Sequence, residues 1–559
     1  MIKFCAQCAS QFEITVDDLK FYEKVSPVFG GKKYLIPPPT LCPPCRMRRR
    51  LSYRNERFLY NRKCALTGKQ VISSASEEKP YPIYEIDAWW SDQWDPLDYG
   101  KEFDFSRPFF DQWVELRNKV PRQALLQQKP MINSDYCNNA SHNKNCYLLF
   151  SSNTCEDCYY GSWVNGCRNC VDNENCRNGE LCYETVDCMN CYHVIYGEES
   201  RNCSDSAFIK NCNGCSNILF CTSLNNAKYQ IFNRPVEKDY YENILKELKL
   251  NTFRGLAEAV KKFTEIKKKM KVRYFYGTQN ENVSGNYINN CKNSLSAYEC
   301  DNCEDIKYCN NLNATKDSMD YCYYGQNAEL LYECIGCGWQ VQKLRFCNVC
   351  WNNCSDVFYC DHCYSSQNCF CCVGLKKAKY CIFNRQYSQK EYEELAAKII
   401  QHMQKTGEWG ETFPARLSPF CYNESLAQEW FPLKKDTALK QGCEWQDNDN
   451  TNEYLGPSAE IPENINDVTD DLTKKILHCE TTGKLYKILP QELEFYRQMG
   501  LAAPRRSPNQ RHADRIARRN PRHLWTRPCA KCSAEIQTTY APDRPEIVYC
   551  EKCYLKEVY

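Results

Sequence analysis

The run Asn145-Cys146-Tyr147-Leu148-Leu149-Phe150 decides how this chain is read, because its cysteine returns at Cys158, Cys170 and Cys182, each twelve residues on. After a step of nine to Cys191, the step of twelve resumes at Cys203 and Cys215. Asparagine precedes cysteine at positions 145, 169, 175, 190, 202, 211, 290, 302, 353 and 368, and short β-prone runs such as Ile218-Leu219-Phe220 often follow. Small polar turns separate these runs. The spacing predicts a β-solenoid, with one coil per twelve residues or one coil per two repeats. In it cysteine would be a small apolar filler at crowded inward positions, and asparagines stacked on corners would ladder by hydrogen bonds.

The repeat region is itself duplicated. Asn202-Cys203-Ser204-Asp205 leads to Ile231-Phe232-Asn233-Arg234, and at an offset of 151 Asn353-Cys354-Ser355-Asp356 leads to Ile382-Phe383-Asn384-Arg385. Two cysteine-rich modules are therefore expected, at 131–233 and 284–384. A helical pattern follows each: Tyr241, Ile244, Leu245 and Leu248 share one face after the first, and Tyr392, Leu395, Ile399 and Met403 after the second. The expected class is mainly β with α, the two solenoid modules carrying helical inserts at 234–283 and 385–405.

At the chain ends the cysteines change layout. Cys5/Cys8 with Cys42/Cys45, and Cys529/Cys532 with Cys550/Cys553, are paired C-x-x-C knuckles. Thiolates at i and i+3 in a tight turn converge on one ion, and a second knuckle completes a tetrahedron, so each set predicts one structural Zn²⁺. Four thiolates leave no open coordination position. Close pairs in the central modules, such as Cys155/Cys158 or Cys347/Cys350, leave room for further metal there, although buried free thiols are the expected state.

A fainter duplication relates the two ends. Leu19-Lys20-Phe21-Tyr22 matches Leu493-Glu494-Phe495-Tyr496, and Arg46, Arg50, Arg54 and Cys64 match Arg511, Arg515, Arg519 and Cys529. Each arm then reads as a tandem of ribbons, one keeping four ligands and one reduced to Cys64 or Cys479. The expected order is a zinc ribbon with a basic strip (1–63) and a degenerate ribbon with an aromatic docking segment (64–130). After the modules come a partly ordered acidic linker (406–472), a degenerate ribbon with a basic strip (473–527) and the C-terminal zinc ribbon (528–559).

The chain holds 559 residues, 42 of them cysteine, with a net charge of only +2. That length should divide into several domains. No run of eighteen apolar residues exists, so no membrane span is expected. The first residues enter a knuckle with no apolar leader, which predicts a reducing, cytoplasmic setting and thiols rather than disulfides. The small net charge hides blocks: residues 46–63 carry eight basic side chains against Glu56, and 497–527 carry nine arginines against Asp514. Arg46, Arg48, Arg49, Arg50 and Arg54 beside one ribbon, and Arg511, Arg515, Arg518, Arg519 and Arg522 beside the other, predict a phosphate-binding surface for RNA or DNA. The competing expectation is that these strips pair with acids of the chain or of protein partners.

No phosphate-binding loop, dinucleotide fingerprint, nucleophile elbow or His-rich metal motif is present. Asp and Glu are scattered without a distinctive pair for glycan cleavage. A zinc-binding, non-enzymatic protein that binds nucleic acid is the expected function; the alternatives are a protein–protein scaffold and a solenoid enzyme acting on glycans.

Specific stretches carry a resemblance: Ser26-Pro27-Val28-Phe29-Gly30-Gly31-Lys32-Lys33, Pro37 to Arg46 around Cys42 and Cys45, Arg54-Asn55-Glu56-Arg57, Trp94-Asp95-Pro96-Leu97-Asp98-Tyr99-Gly100, and the two Ile-Phe-Asn endings. Together these resemble the uncharacterised cysteine-rich zinc-ribbon proteins of Candidate Phyla Radiation (Patescibacteria) bacteria. The resemblance spans nearly the whole chain and implies a bacterial cytoplasmic protein without an assigned activity.

Overall fold

A three-residue unit, shorter than the twelve-residue spacing, builds the centre of the molecule. In the computed structural model, which describes residues 1–326, 328–447 and 459–558, Cys137, Ala140, Cys146 and Leu149 are buried inward positions. The residue after each bridges a neighbouring coil. The next one, as at Asn139, His142, Asn145, Leu148, Ser151 and Thr154, takes a left-handed backbone with φ between 50° and 54°. Four such corners close a coil of twelve. Asparagine tolerates this conformation better than most residues, and all ten asparagines that precede a cysteine adopt it. The Asn-Cys dyad is thus a corner followed by an inward position.

Coils stack in parallel. Lys144, Glu156, Arg168, Glu180, Tyr192, Ser204, Ser216 and Lys228 form one unbroken column, each paired with the residue twelve later. Inward thiols also use carbonyls of the coil backbone: Cys158 Sγ donates to the carbonyls of Glu156 at 3.3 Å and Cys167 at 3.4 Å, a pattern repeated by Cys170 and Cys182. Cysteine therefore fills the narrow interior and meets backbone acceptors, which valine could not do. Corner asparagines ladder as expected, with Asn290 Nδ2 donating to Asn302 Oδ1 at 2.8 Å. Tyr196, Phe208, Phe220 and Phe232 form a second ladder, ring on ring at 5.1–5.3 Å.

The second module pairs in the same way from Gly277 to Ile382, but its coil length varies. The offset is eleven at Gly277↔Ile288, twelve at Lys292↔Glu304, thirteen at Tyr332↔Arg345 and twelve again at Asp361↔Val373. Strands Lys292–Asp301, Glu304–Lys307, Asn310–Asn313 and Lys316–Gly325 form a closed four-strand parallel ring, because the two long strands each run past a corner and pair on two faces. Each module ends on a short antiparallel turn-back followed by helix: Lys238–Glu247 and Phe253–Lys268 after the first, Gln389–Thr406 after the second. The last starts on a Ser388/Glu391 capping box and stops at Gly407 in the left-handed conformation. The chain as a whole is mixed α/β.

The arms cross over the modules. Helix Val16–Val25 lies on the second module, where Tyr22 meets Tyr332 edge-on at 5.2 Å. Its counterpart Pro490–Met499 lies on the first, where Tyr496 meets Tyr183 at 5.7 Å. The aromatic segment docks on the second module as expected: Phe109 packs on Tyr359, Phe370 and Phe383, and Trp89 on Tyr364. Residues 406–447, expected within a partly ordered linker, are instead packed, with Trp409, Phe413, Tyr422 and Leu426 buried in the same core as Tyr22 and Leu51. Of the acidic stretch, residues 448–458 lie outside the described residues, while Ile465 and Leu472 are buried against the C-terminal arm. Among the described residues, no helix is long and apolar enough to cross a membrane.

Candidate metal centres and the arginine strips

Two four-cysteine clusters assemble as their spacing demands. Cys5 and Cys8 lie in the turn between strands Ile2–Phe4 and Gln11–Glu13; Cys42 is the N-cap of helix Pro43–Leu51 and Cys45 lies in its first turn. Pro43 and Pro44 suit the first helical positions, where no backbone donor is needed. At the other end, Cys529 and Cys532 lie in the turn between Trp525–Pro528 and Glu535–Thr538, with Cys550 and Cys553 at the start of helix Glu551–Val558. Within each cluster the four sulfurs lie within 4.8 Å of one another, with Cys8–Cys42 at 3.6 Å and Cys532–Cys550 at 3.7 Å. A tetrahedral ion with metal–sulfur bonds of about 2.3 Å requires sulfurs about 3.8 Å apart. The residues fit a four-thiolate ion. Among the described residues no third group of metal-ligating side chains forms, in the modules or elsewhere.

Within each cluster the thiols are driven in opposite directions, Cys45 and Cys553 upward by burial and hydrogen bonds with neighbouring thiols, and Cys42 and Cys529 downward. Hydrogen bonding from Cys45 holds Cys42 down to about 7. Burial acts against the thiolate of Cys529, but backbone N–H groups of Cys550, Cys532 and Lys531 bring it to about 6. In the modules the direction varies from thiol to thiol: burial pushes Cys221 up to about 11, whereas a hydrogen bond from Cys188 lowers Cys191.

The turns at Cys64 and Cys479 keep the backbone hydrogen bonds of the turns at Cys5 and Cys529. Cys550 N donates to Cys529 Sγ at 3.2 Å in the C-terminal cluster, and Glu85 N donates to Cys64 Sγ at 3.3 Å in the position that corresponds to it. One thiol and its N–H partners survive where the other three ligands are gone, and Cys64 and Cys479 are both buried.

The arginine strips lie against the modules and are paired with carboxylates there. Arg46, Arg49, Arg50, Arg54, Arg511, Arg515, Arg519 and Arg522 are all buried, and Arg48 and Arg518 are half-buried. Arg46 Nε and Arg50 Nη1 reach the two oxygens of Asp320 at 2.9 Å, and Arg49 reaches Glu333 at 2.7 Å. On the first module Arg511 meets Asp172 at 2.7 Å and Arg515 meets Asp172 at 2.9 Å and Glu184 at 3.1 Å. Arg518 binds Glu184, Arg519 binds Glu174, Asp187 and Glu299, and Arg522 binds Glu299. Arg54 pairs with Glu56 and reaches Ser151 Oγ, and Arg48 reaches Gln441. Burial acts against the charged forms of Arg46 and Arg511, yet Asp320 and Asp172 hold both above the ordinary guanidinium range.

The duplication seen between the arms is matched in these contacts. Arg46/Arg50 on Asp320 corresponds to Arg511/Arg515 on Asp172, each on an acid pair one coil apart: Asp320 with Glu333, and Asp172 with Glu184. The N-terminal strip lands on the second module and the C-terminal strip on the first. Beyond those landings Arg54 and Arg519 reach across to the other module. Sequence reasoning missed the acids; acid pairs spaced one coil apart were the available signal.

In comparison with known proteins, the chain matches no family model, and no curated protein is significantly similar to it.

Proposed function

We propose that this protein is a non-enzymatic binding scaffold in which two β-solenoid modules are held side by side by zinc-ribbon arms. The observation that carries this reading is the crossed set of arginine contacts, which spends both basic strips on carboxylates of the modules. A buried guanidinium held by two carboxylates is a register device: it fixes one docking geometry, since any other leaves a charge unpaired. Soft four-thiolate sets suit zinc, and with no open position the ion would be structural. Nucleic acid could engage the buried arginines only by displacing these ion pairs, whereas a scaffold leaves them in place.

Metal analysis of anaerobically purified protein tests the reading. Two zinc ions per chain are expected, from the two clusters, falling to one in Cys532→Ser/Cys550→Ser. Titration with a U12 oligonucleotide should show no salt-dependent binding that depends on Arg48 or Arg518. Zinc-free protein, or U12 binding abolished by Arg48→Ala/Arg518→Ala, would sink it.

A further inference from the structure

The two modules leave an open cleft of about 390 Å³ between them. One wall is a column of the first module, Ser141, Asn153, Asn165 and Arg177, bridged coil to coil. The facing wall is a column of the second, Asn313, Gly325, Gly338 and Trp351. Two successive glycines leave this wall bare. Gly325 has no alternative: at φ +97° a Cβ would sit 2.3 Å from Thr315 Oγ1 and 2.6 Å from the carbonyl of Asn313.

Aromatic rings flank the bare stretch. Trp339 follows Gly338 and is 55% exposed, an unusual place for an indole with no cover. Trp163 on the opposite side is half-buried and fixed by stacking on Tyr323 at 4.7 Å. Amides supply the polar groups. Asn139 also lines the cleft, and its Oδ1 is buried without a hydrogen-bond partner. Such an orphaned acceptor costs free energy unless something donates to it.

The charge balance selects the ligand class. Arg177 and Glu299 are the charged residues lining the cleft, and both are already paired, Arg177 with Asp301 and Glu299 with Arg519 and Arg522. A polyanion needs free cations along its path, and the described residues of this cleft offer none. A peptide strand needs an unpaired sheet edge, whereas these columns are bridged along the stack. A ring with one apolar C–H face and a rim of hydroxyls fits both features, stacking on an indole while its hydroxyls meet the amides.

We propose that the cleft binds a neutral oligosaccharide. The proposal rests on the scaffold reading and gives that scaffold its ligand. With no free carboxylate pair, the site holds a glycan without cleaving it.

Intrinsic tryptophan fluorescence of the full chain, titrated with maltotetraose, cellotetraose and chitotetraose, tests it, with U12 in parallel. At least one sugar should bind saturably with a Kd of about 1 mM or tighter, and Trp339→Ala and Asn165→Ala should each weaken it about tenfold. Both variants should keep the wild-type zinc content and melting temperature, which separates loss of the site from loss of the fold. No saturable change with any of the three sugars up to about 10 mM overturns the proposal. So does binding that ignores both substitutions, or U12 binding that Trp339→Ala removes. Loss of zinc from the wild type would instead count against the scaffold reading.

Discussion

Removing Asp320 tests whether ion pairs hold the N-terminal arm in place. Its side chain is fully buried, with Arg46 Nε at 2.9 Å on one oxygen and Arg50 Nη1 at 2.9 Å on the other. In Asp320→Ala the remaining acid for both is Glu333, 3.2 Å from Arg50 but 3.9 Å from Arg46, and already engaged by Arg49 at 2.7 Å. Breaking a buried pair from one side costs about 3–5 kcal/mol, because the partner charge stays desolvated. At about 1.4 kcal/mol per decade, amides of helix Pro43–Leu51 should exchange roughly two to three and a half orders of magnitude faster. Hydrogen-exchange mass spectrometry reads this directly, with the helix Phe253–Lys268 on the other module as the internal control. Replacing Asp320 together with its two arginines, Asp320→Leu with Arg46→Met and Arg50→Leu, should restore most of the protection, since their desolvation cost disappears along with the attraction and Glu333 keeps Arg49 as its partner. Unchanged protection in Asp320→Ala, or a triple variant as loose as the single, would refute the argument.

Corner chemistry predicts an inverted preference at Asn202, held at φ +51°: Asn202→Ala should destabilise the first module by about 1–2 kcal/mol and Asn202→Gly by less, as read from local exchange. Gly325→Ala should loosen the second module by about 2 kcal/mol or more, because the new Cβ meets backbone at 2.6 Å and that backbone cannot give way; a wild-type melting curve would contradict it. Burial and the nearby Arg57 hold His512 near 4, with Glu429 bonded at 2.9 Å. The folded pKa lies below the ordinary value of about 6.5, so the stability from the neutral imidazole is complete above that pH and is lost as pH falls toward 4. The loss is up to about 3 kcal/mol, and His512→Asn should flatten the stability profile between those limits.

Much of this architecture is written in local spacing. Each step from Cys146 to Cys158 to Cys170 is one coil, and the step of nine from Cys182 to Cys191 advances three of the four faces of a coil. The three-residue unit stayed hidden because inward positions accept small residues and some aliphatic ones besides cysteine. Ala140, Leu149, Val164, Gly179 and Ser200 occupy the same kind of position as the cysteines, so the cysteine pattern samples the unit incompletely. The arms were legible down to the equivalence of Tyr22 with Tyr496 and of Arg46 with Arg511. What those arginines face was not. Arg46 finds Asp320 across 274 residues and Arg519 finds Glu299 across 220, and a basic strip has the same composition whether water or carboxylates surround it.

The chain by itself determined the eight thiols of the two clusters, the period of the coils and the two duplications, because each depends on residues close together along the backbone. Only the tertiary structure decided that the basic strips turn inward, that the arms cross to opposite modules, and that a cleft lined by amides and indoles lies between those modules. These outcomes depend on which coils come to lie side by side. A buried charge takes its meaning from its partner, and the partner is chosen by packing.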